Sequence, residues 1–110
     1  MHSQYYEAIL QVRDAPEEVY KAVAKAIDAA ARKGVFVSKV EKSKNGLDYY
    51  LSSKRFAVNL GKQLKKRFRG QVKLSRKLYG RDRSTSKTLY RVTVLYRHLK
   101  PEDINYRSRH

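Results

Sequence analysis

The chain has 110 residues, no cysteine, and 26 Lys and Arg against 10 Asp and Glu, for a formal net charge of +16. That length fits one domain able to bury roughly two thirds of its unfolded surface, with a 41% hydrophobic and 33% charged composition that gives an adequate core under an ion-crowded surface. The lack of cysteine excludes disulfides and thiolate-bound zinc or iron–sulfur centres; no apolar run approaches ~20 residues and no signal-like segment follows Met1, so a soluble, cytoplasmic protein without a membrane span is expected.

Tyr5 to Arg13 reads as a strand, with Tyr6, Ala8, Leu10 and Val12 on the side turned to the core. Asp14-Ala15-Pro16-Glu17 then suits a helix start, with Asp14 as N-cap and Pro16 in the first turn. Val19, Tyr20, Val23, Ala24, Ile27, Ala30 and Ala31 recur at three and four and form one apolar stripe, and Gly34 closes the helix. Val35 to Glu41 is a second strand. Asn45-Gly46 is the dipeptide favoured in a type I′ hairpin turn, leading into Leu47 to Leu51, whose Leu47, Tyr49 and Leu51 share one face and Asp48 and Tyr50 the other.

Ser52 and Ser53 offer N-cap oxygens for a second helix reaching about Phe68. At 100° per residue, Phe56, Ala57, Leu60, Gly61, Leu64 and Phe68 fall on one side and Lys54, Arg55, Lys62, Lys65, Lys66 and Arg69 on the other, with Arg67 as the exception. Gly70 ends it. Gln71 to Tyr79 and Thr88 to Arg97 are the last strands, joined by the polar, basic, glycine-led stretch from Gly80 to Lys87, which reads as an exposed loop. Pro101 stops the pattern, so one domain over 1–104 with a tail at 105–110 is expected, and a monomer. The order β-α-β-β-α-β-β predicts an α+β fold of the ferredoxin-like split β-α-β kind, with two helices on one face of an antiparallel or mixed sheet and an added hairpin strand.

Charge separates the chain into unequal halves. Gly46 to Arg97 holds 15 basic residues against Asp48 and Asp82, a net +13, whereas the other 58 residues contribute only +3. A solvated helix face is the ordinary meaning of one lysine-rich helix. Here the excess continues through the next strand and loop, and ordinary surfaces intersperse both signs. Clustered cations of this density call for an anionic partner, and the phosphate backbone of a nucleic acid is the obvious one. Lys62, Lys65, Lys66 and Arg69 on the helix and Lys73, Arg76, Lys77, Arg81, Arg83 and Lys87 on the hairpin are therefore the candidate RNA-binding residues. Among nine tyrosines, Tyr6, Tyr20 and Tyr49 fit packing, while Tyr50 and Tyr79 are the candidates for stacking on bases. Asp48, on the outer face beside Tyr50, would repel phosphate, so this strand is not assigned as an RNA-recognition motif.

Catalysis finds little support. His2, His98 and His110 lie at the margins, no carboxylate pair sits at a recognisable spacing, and the glycines do not form a phosphate-binding loop. No catalytic residue, metal ligand or cofactor is nominated.

The run Gly46-Leu47-Asp48-Tyr49-Tyr50-Leu51-Ser52-Ser53 before a helix, followed by Val72-Lys73-Leu74-Ser75-Arg76-Lys77-Leu78, resembles the nonsense-mediated decay protein three family. The likeness extends from Tyr5-Tyr6-Glu7 to Pro101-Glu102-Asp103. Members of that family bind the large ribosomal subunit and, in eukaryotes, act as its nuclear export adaptor; they also carry a cysteine-rich zinc region and, in eukaryotes, export signals near the C-terminus. This chain has neither, and so resembles an isolated middle domain or a short, archaeal homologue, to which an export role does not carry over. The resemblance implies docking on the large subunit through ribosomal RNA, ribosomal proteins, or both. The expected function is a noncatalytic RNA-binding domain in ribosome biogenesis; the alternatives are a protein-interaction module for an acidic ribosomal-protein or assembly-factor surface, and a phosphodiester enzyme.

Overall fold

The computed structural model describes residues 5–81 and 88–98, with only the backbone at 79–81, 88 and 89. Seven elements follow one another: β1 (Ala8–Arg13), α1 (Glu17–Ala31), β2 (Val37–Ser43), β3 (Gly46–Leu51), α2 (Lys54–Phe68), β4 (Gly70–Arg81) and β5 (Thr88–His98). The strands lie in the order β2-β3-β1-β5-β4. β3 runs antiparallel to both β1 and β2, which places it between two strands of one direction joined through α1, the split β-α-β of the ferredoxin-like arrangement. β5 is parallel to β1 and antiparallel to β4, so the sheet is mixed. The extra strand is β5. It inserts between β1 and β4 and leaves β4 as the outer edge.

Strict alternation decides which face is core. The register sets Ala8, Leu10 and Val12 beside Leu51, Tyr49 and Leu47 on one side and beside Val92, Val94 and Tyr96 on the other. Val19 and Val23 of α1 and Ala57, Leu60 and Leu64 of α2 join these residues in one cluster, so both helices cover the same face. The opposite face carries Ile9, Gln11, Asp48, Tyr50, Arg91, Thr93 and Leu95 and has neither helix on it.

Three local expectations are corrected by the structure. Asp14 does not cap α1: it takes a φ of 53°, and its carboxylate accepts from the Arg97 guanidinium on the neighbouring strand. The helix begins instead at Glu17 behind Pro16, with no side-chain cap, and Glu17 and Glu18 complement the positive end of its dipole. The hairpin turn between β2 and β3 is Lys44-Asn45, because Gly46 already pairs with Ser43. A type I′ turn needs φ > 0 at both central residues, and neither Lys44 nor Asn45 has it. Gly46 answers a different need, since a Cβ there would lie 1.7 Å from the Val12 carbonyl oxygen. Tyr6, expected on the core side, turns to the uncovered face, because the chain bends at Glu7 before β1 starts and breaks the alternation.

Elsewhere local chemistry and structure agree. Gly34 follows α1 with a φ of 91°, and its N–H donates to the Ala31 carbonyl. Within the expected α1 stripe, Val19, Val23 and Ala30 are buried, while Ala24 and Ala31 are exposed.

Candidate nucleic-acid interface

α2 is fixed at both ends by identifiable groups. Ser53 Oγ accepts from the Phe56 N–H at 3.1 Å, and Glu7, reaching from the start of β1, accepts from the Lys54 N–H at 3.1 Å. Two of the four orphan donors of the first turn are thus satisfied. Its apolar side lies across β5, β4 and β1. The approach is close enough to require Gly61, where a Cβ would stand 2.5 Å from Val94 Cγ1. With that side held down, Lys62, Lys65 and Lys66 are exposed on the outer side. Arg67, the exception on the wheel, lines the groove against α1 with Ala22 and Lys25.

The helix gives way to β4 through Arg69 and Gly70. Arg69 adopts φ 61°, ψ 146°, a region costly for a residue with a Cβ, and Gly70 a φ of 155°. The turn is pinned from β5: the Tyr96 hydroxyl donates to the Arg69 carbonyl at 2.6 Å. A Cβ on Gly70 would come within 2.6 Å of the Arg97 carbonyl oxygen, so the chain needs glycine there. Arg69 itself is exposed beside the end of α2.

β4 distributes its cations by alternation. Lys73 pairs in register with Leu95 and Lys77 with Arg91, which puts both on the face without helices. Arg76 pairs with Val92 and belongs to the helix side, where its guanidinium lies 5.1 Å from the Tyr90 ring centre. The candidate cations therefore form no single flat belt. They wrap an edge: Lys62, Lys65 and Lys66 on the outside of α2, Arg69 at the junction, Arg76 on the helix side of β4, and Lys73 and Lys77 on its reverse. The side chains of Arg81 and Tyr79 lie outside the described residues, as do Arg83 and Lys87.

The candidate cations have no carboxylate partner among the described residues. Among the described residues the ion pairs are Arg13–Asp48 at 2.7 Å, Lys21–Glu17 at 3.3 Å, Lys39–Glu41 at 3.4 Å, and Arg97–Asp14. None includes Lys62, Lys65, Lys66, Arg69, Lys73, Arg76 or Lys77, and all seven are exposed. Asp48, expected to repel phosphate from the outer face, is instead held by Arg13 with both side chains about 15% exposed. Its Oδ1 receives no well-directed hydrogen bond, so the contact is one of charge.

Tyr50 occupies the uncovered face as expected but is engaged there. Its hydroxyl donates to Glu41 Oε1 at 2.7 Å, the Lys39 ammonium lies 4.5 Å from its ring centre, and Tyr6 meets it edge-on with centroids 4.9 Å apart. The hydrogen bond to Glu41, helped by burial, pushes the Tyr50 phenol up to about 12. A second aromatic arrangement on this face is Tyr6 with Arg91, whose guanidinium carbon sits 4.0 Å from the Tyr6 ring centre. Neither residue was a sequence candidate for binding. Arg91 could be placed on the outer face by alternation alone; its partner, 85 residues away, could not.

No group of three or more His, Asp or Glu with metal-binding proximity occurs among the described residues. A search of curated proteins returns no match. The family model described as "NMD3, second domain" matches residues 5–97, which takes in both helices and all but the last residue of the sheet. That family is associated with the large ribosomal subunit as an export adaptor. With the match extending over most of the chain, the protein belongs to the NMD3 family.

Proposed function

We propose that the chain is a noncatalytic RNA-binding domain that docks on the large ribosomal subunit by gripping ribosomal RNA phosphates. The observation that carries this reading is the set of seven exposed cations on α2, its junction and β4 with no carboxylate partner among the described residues. Exposed cations of one sign repel one another until an anion lies against them, and a polyanion that follows an edge satisfies charges on both of its sides.

Co-sedimentation with purified large and small subunits tests the reading. The chain should pellet with large subunits and not with small ones, and RNA affinity should fall steeply with salt. Six phosphate contacts give a slope of log affinity against log salt of roughly −4 on single strands and roughly −5 on the duplex calibration. A slope near zero defeats the proposal.

A second reading has one observation in its favour. Leu74, Leu78 and Tyr90 are 47%, 59% and 37% exposed on the helix side of the β4–β5 ribbon. Such a strip within a basic surround suits an acidic ribosomal protein or assembly factor with apolar anchors. Subunit binding that survives nuclease treatment and is lost on Leu74→Ser would favour it over RNA.

A further inference from the structure

The uncovered face of the sheet contains a cavity of about 320 Å³ lined by Tyr6, Ile9, Lys77, Arg91 and Thr93 and bordered by Leu78, a helix-side residue where the β4 register shifts. Ile9 and Thr93 are register partners on adjacent strands, and Lys77 and Arg91 are partners one strand further out. The cavity thus spans β1, β5 and β4, with an apolar and hydroxyl floor and cations along its outer side. Its volume lies at the small end of the range for ligand pockets.

Arg91 gives the cavity its chemistry. The guanidinium is stacked 4.0 Å from the Tyr6 ring centre, and Nε donates to the Tyr6 carbonyl at 3.3 Å. These two contacts set the plane of the group. A planar cation laid on an aromatic ring extends the stack by one layer, and a nucleobase stacks on such a layer regardless of its identity. Lys77, the register partner of Arg91, lines the same cavity and supplies a charge that can neutralise the attached phosphate. A carboxylate ligand would instead favour the open fork of a guanidinium, part of which is committed here to the Tyr6 carbonyl.

We propose that this cavity takes up one unpaired base of RNA, stacked against the Tyr6–Arg91 pair with its phosphate at Lys77. The proposal rests on the RNA-binding function above and adds a preference that phosphate contacts alone do not give. In an A-form duplex the bases are stacked inside and do not splay into a protein cavity, whereas loops, bulges and single strands can present one.

The test uses the full chain in a binding titration against a labelled unstructured RNA, the same RNA annealed to its complement, and the single strand carrying an abasic nucleotide at each position in turn. The expected result is single-strand binding at least about tenfold tighter than duplex binding, and a loss of about tenfold for an abasic site at the position that occupies the cavity. Arg91→Lys keeps the charge and removes the planar layer. It should lower single-strand affinity by about five- to tenfold and leave duplex affinity within about twofold. Thr93→Phe fills the cavity from its floor without touching the stack, and should abolish the preference while circular dichroism verifies the fold. Equal affinity for single strand and duplex, or variants that weaken both alike, would overturn the base site and leave the phosphate reading standing. A Tyr6–Arg91 stack that merely shields the sheet would show lowered stability in Arg91→Lys with RNA discrimination unchanged, which also overturns it. Failure to bind any of the RNAs would overturn both readings.

Discussion

The Tyr96 hydroxyl, fully buried in the sheet, donates to the carbonyl of Arg69, the last residue before the chain leaves α2 for β4. The proton on that hydroxyl is committed to Arg69, so the 3.1 Å contact between Tyr96 oxygen and His98 Nδ1 requires the histidine nitrogen to be the donor. The chain His98 to Tyr96 to Arg69 ties the end of β5 to the one candidate cation with a costly backbone conformation. Stability and binding therefore meet at this junction, and they can be separated there.

Replacing Arg69 by glycine should separate them. A non-glycine residue at φ 61°, ψ 146° costs of order 1–3 kcal/mol, partly offset by the greater unfolded-state freedom of glycine. Arg69→Gly is expected to raise stability by about 1 kcal/mol in urea denaturation. The same change should make the salt slope of RNA binding shallower by roughly 0.7. A variant that is less stable would show the Arg69 side chain to be a structural contact.

Tyr96→Phe removes the hydroxyl and leaves the Arg69 carbonyl without its donor. A loss of about 1–3 kcal/mol is expected, with faster amide exchange from Arg69 to Gln71. The β1–β3 half of the sheet should keep its protection, because the lost bond acts at the other end.

α2 was legible in the sequence because its determinants are local. Ser53, the apolar side from Phe56 to Phe68 and the glycine after it lie within one stretch, and the helix runs between the expected ends. Asp14 and Gly46 were misread because each is controlled by a strand distant in sequence, and Tyr6 because a bend beside it breaks the alternation from which its side was read. Arg97 removes Asp14 from capping, the Val12 carbonyl oxygen demands Gly46, and the bend at Glu7 delivers Tyr6 to Tyr50 and Arg91. The division of the basic cluster is a different case. Lys73 and Lys77 share a parity that Arg76 does not, so the period of two already set them on opposite sides of β4. What local pattern could not supply was the strand order, which makes β4 an edge and lets cations on both sides of it face one partner.

Close packing predicts that Gly61 and Gly46 are intolerant to different degrees. At Gly61 the obstacle is a valine methyl 2.5 Å from the added Cβ, which a rotamer change or a small helix shift can relieve. Gly61→Ala is expected to cost about 1–3 kcal/mol, the usual range for overpacking. At Gly46 the obstacle is backbone, 1.7 Å away, within the pairing of β3 and β1. Gly46→Ala should prevent the hairpin from docking, seen as lost thermal cooperativity rather than a lowered midpoint.

Alkaline pH gives a further check on the core. Burial pushes the Tyr49 and Tyr96 phenols up to about 12. Between the unfolded value near 10 and the folded value, the native state keeps protons that the unfolded chain has released, so stability falls as pH rises. The loss should begin near pH 10 and continue to about 12, with no contribution from these groups below pH 9. Tyrosinate absorbance from Tyr49 and Tyr96 should appear together with loss of the fold. Ionisation of Tyr49 and Tyr96 near pH 10 in a still-folded protein would contradict their burial.

Which side of the β4 edge meets RNA can be decided by two charge variants that preserve the core. Lys65, Lys66 and Arg69 belong to the helix side and its junction, Lys73 and Lys77 to the reverse, and all five are exposed. Relief of like-charge repulsion should leave the unfolding midpoint of each variant unchanged or slightly raised. If the polyanion follows the edge, the Lys65/Lys66/Arg69 triple alanine variant should make the single-strand salt slope shallower by roughly 2, and the Lys73/Lys77 double variant by roughly 1.4. Each should also weaken co-sedimentation with the large subunit. An effect confined to the triple variant would place the interface on the helix side alone, and one confined to the double variant would move it to the uncovered sheet. No change of slope in either would remove phosphate contact by these residues from the mechanism.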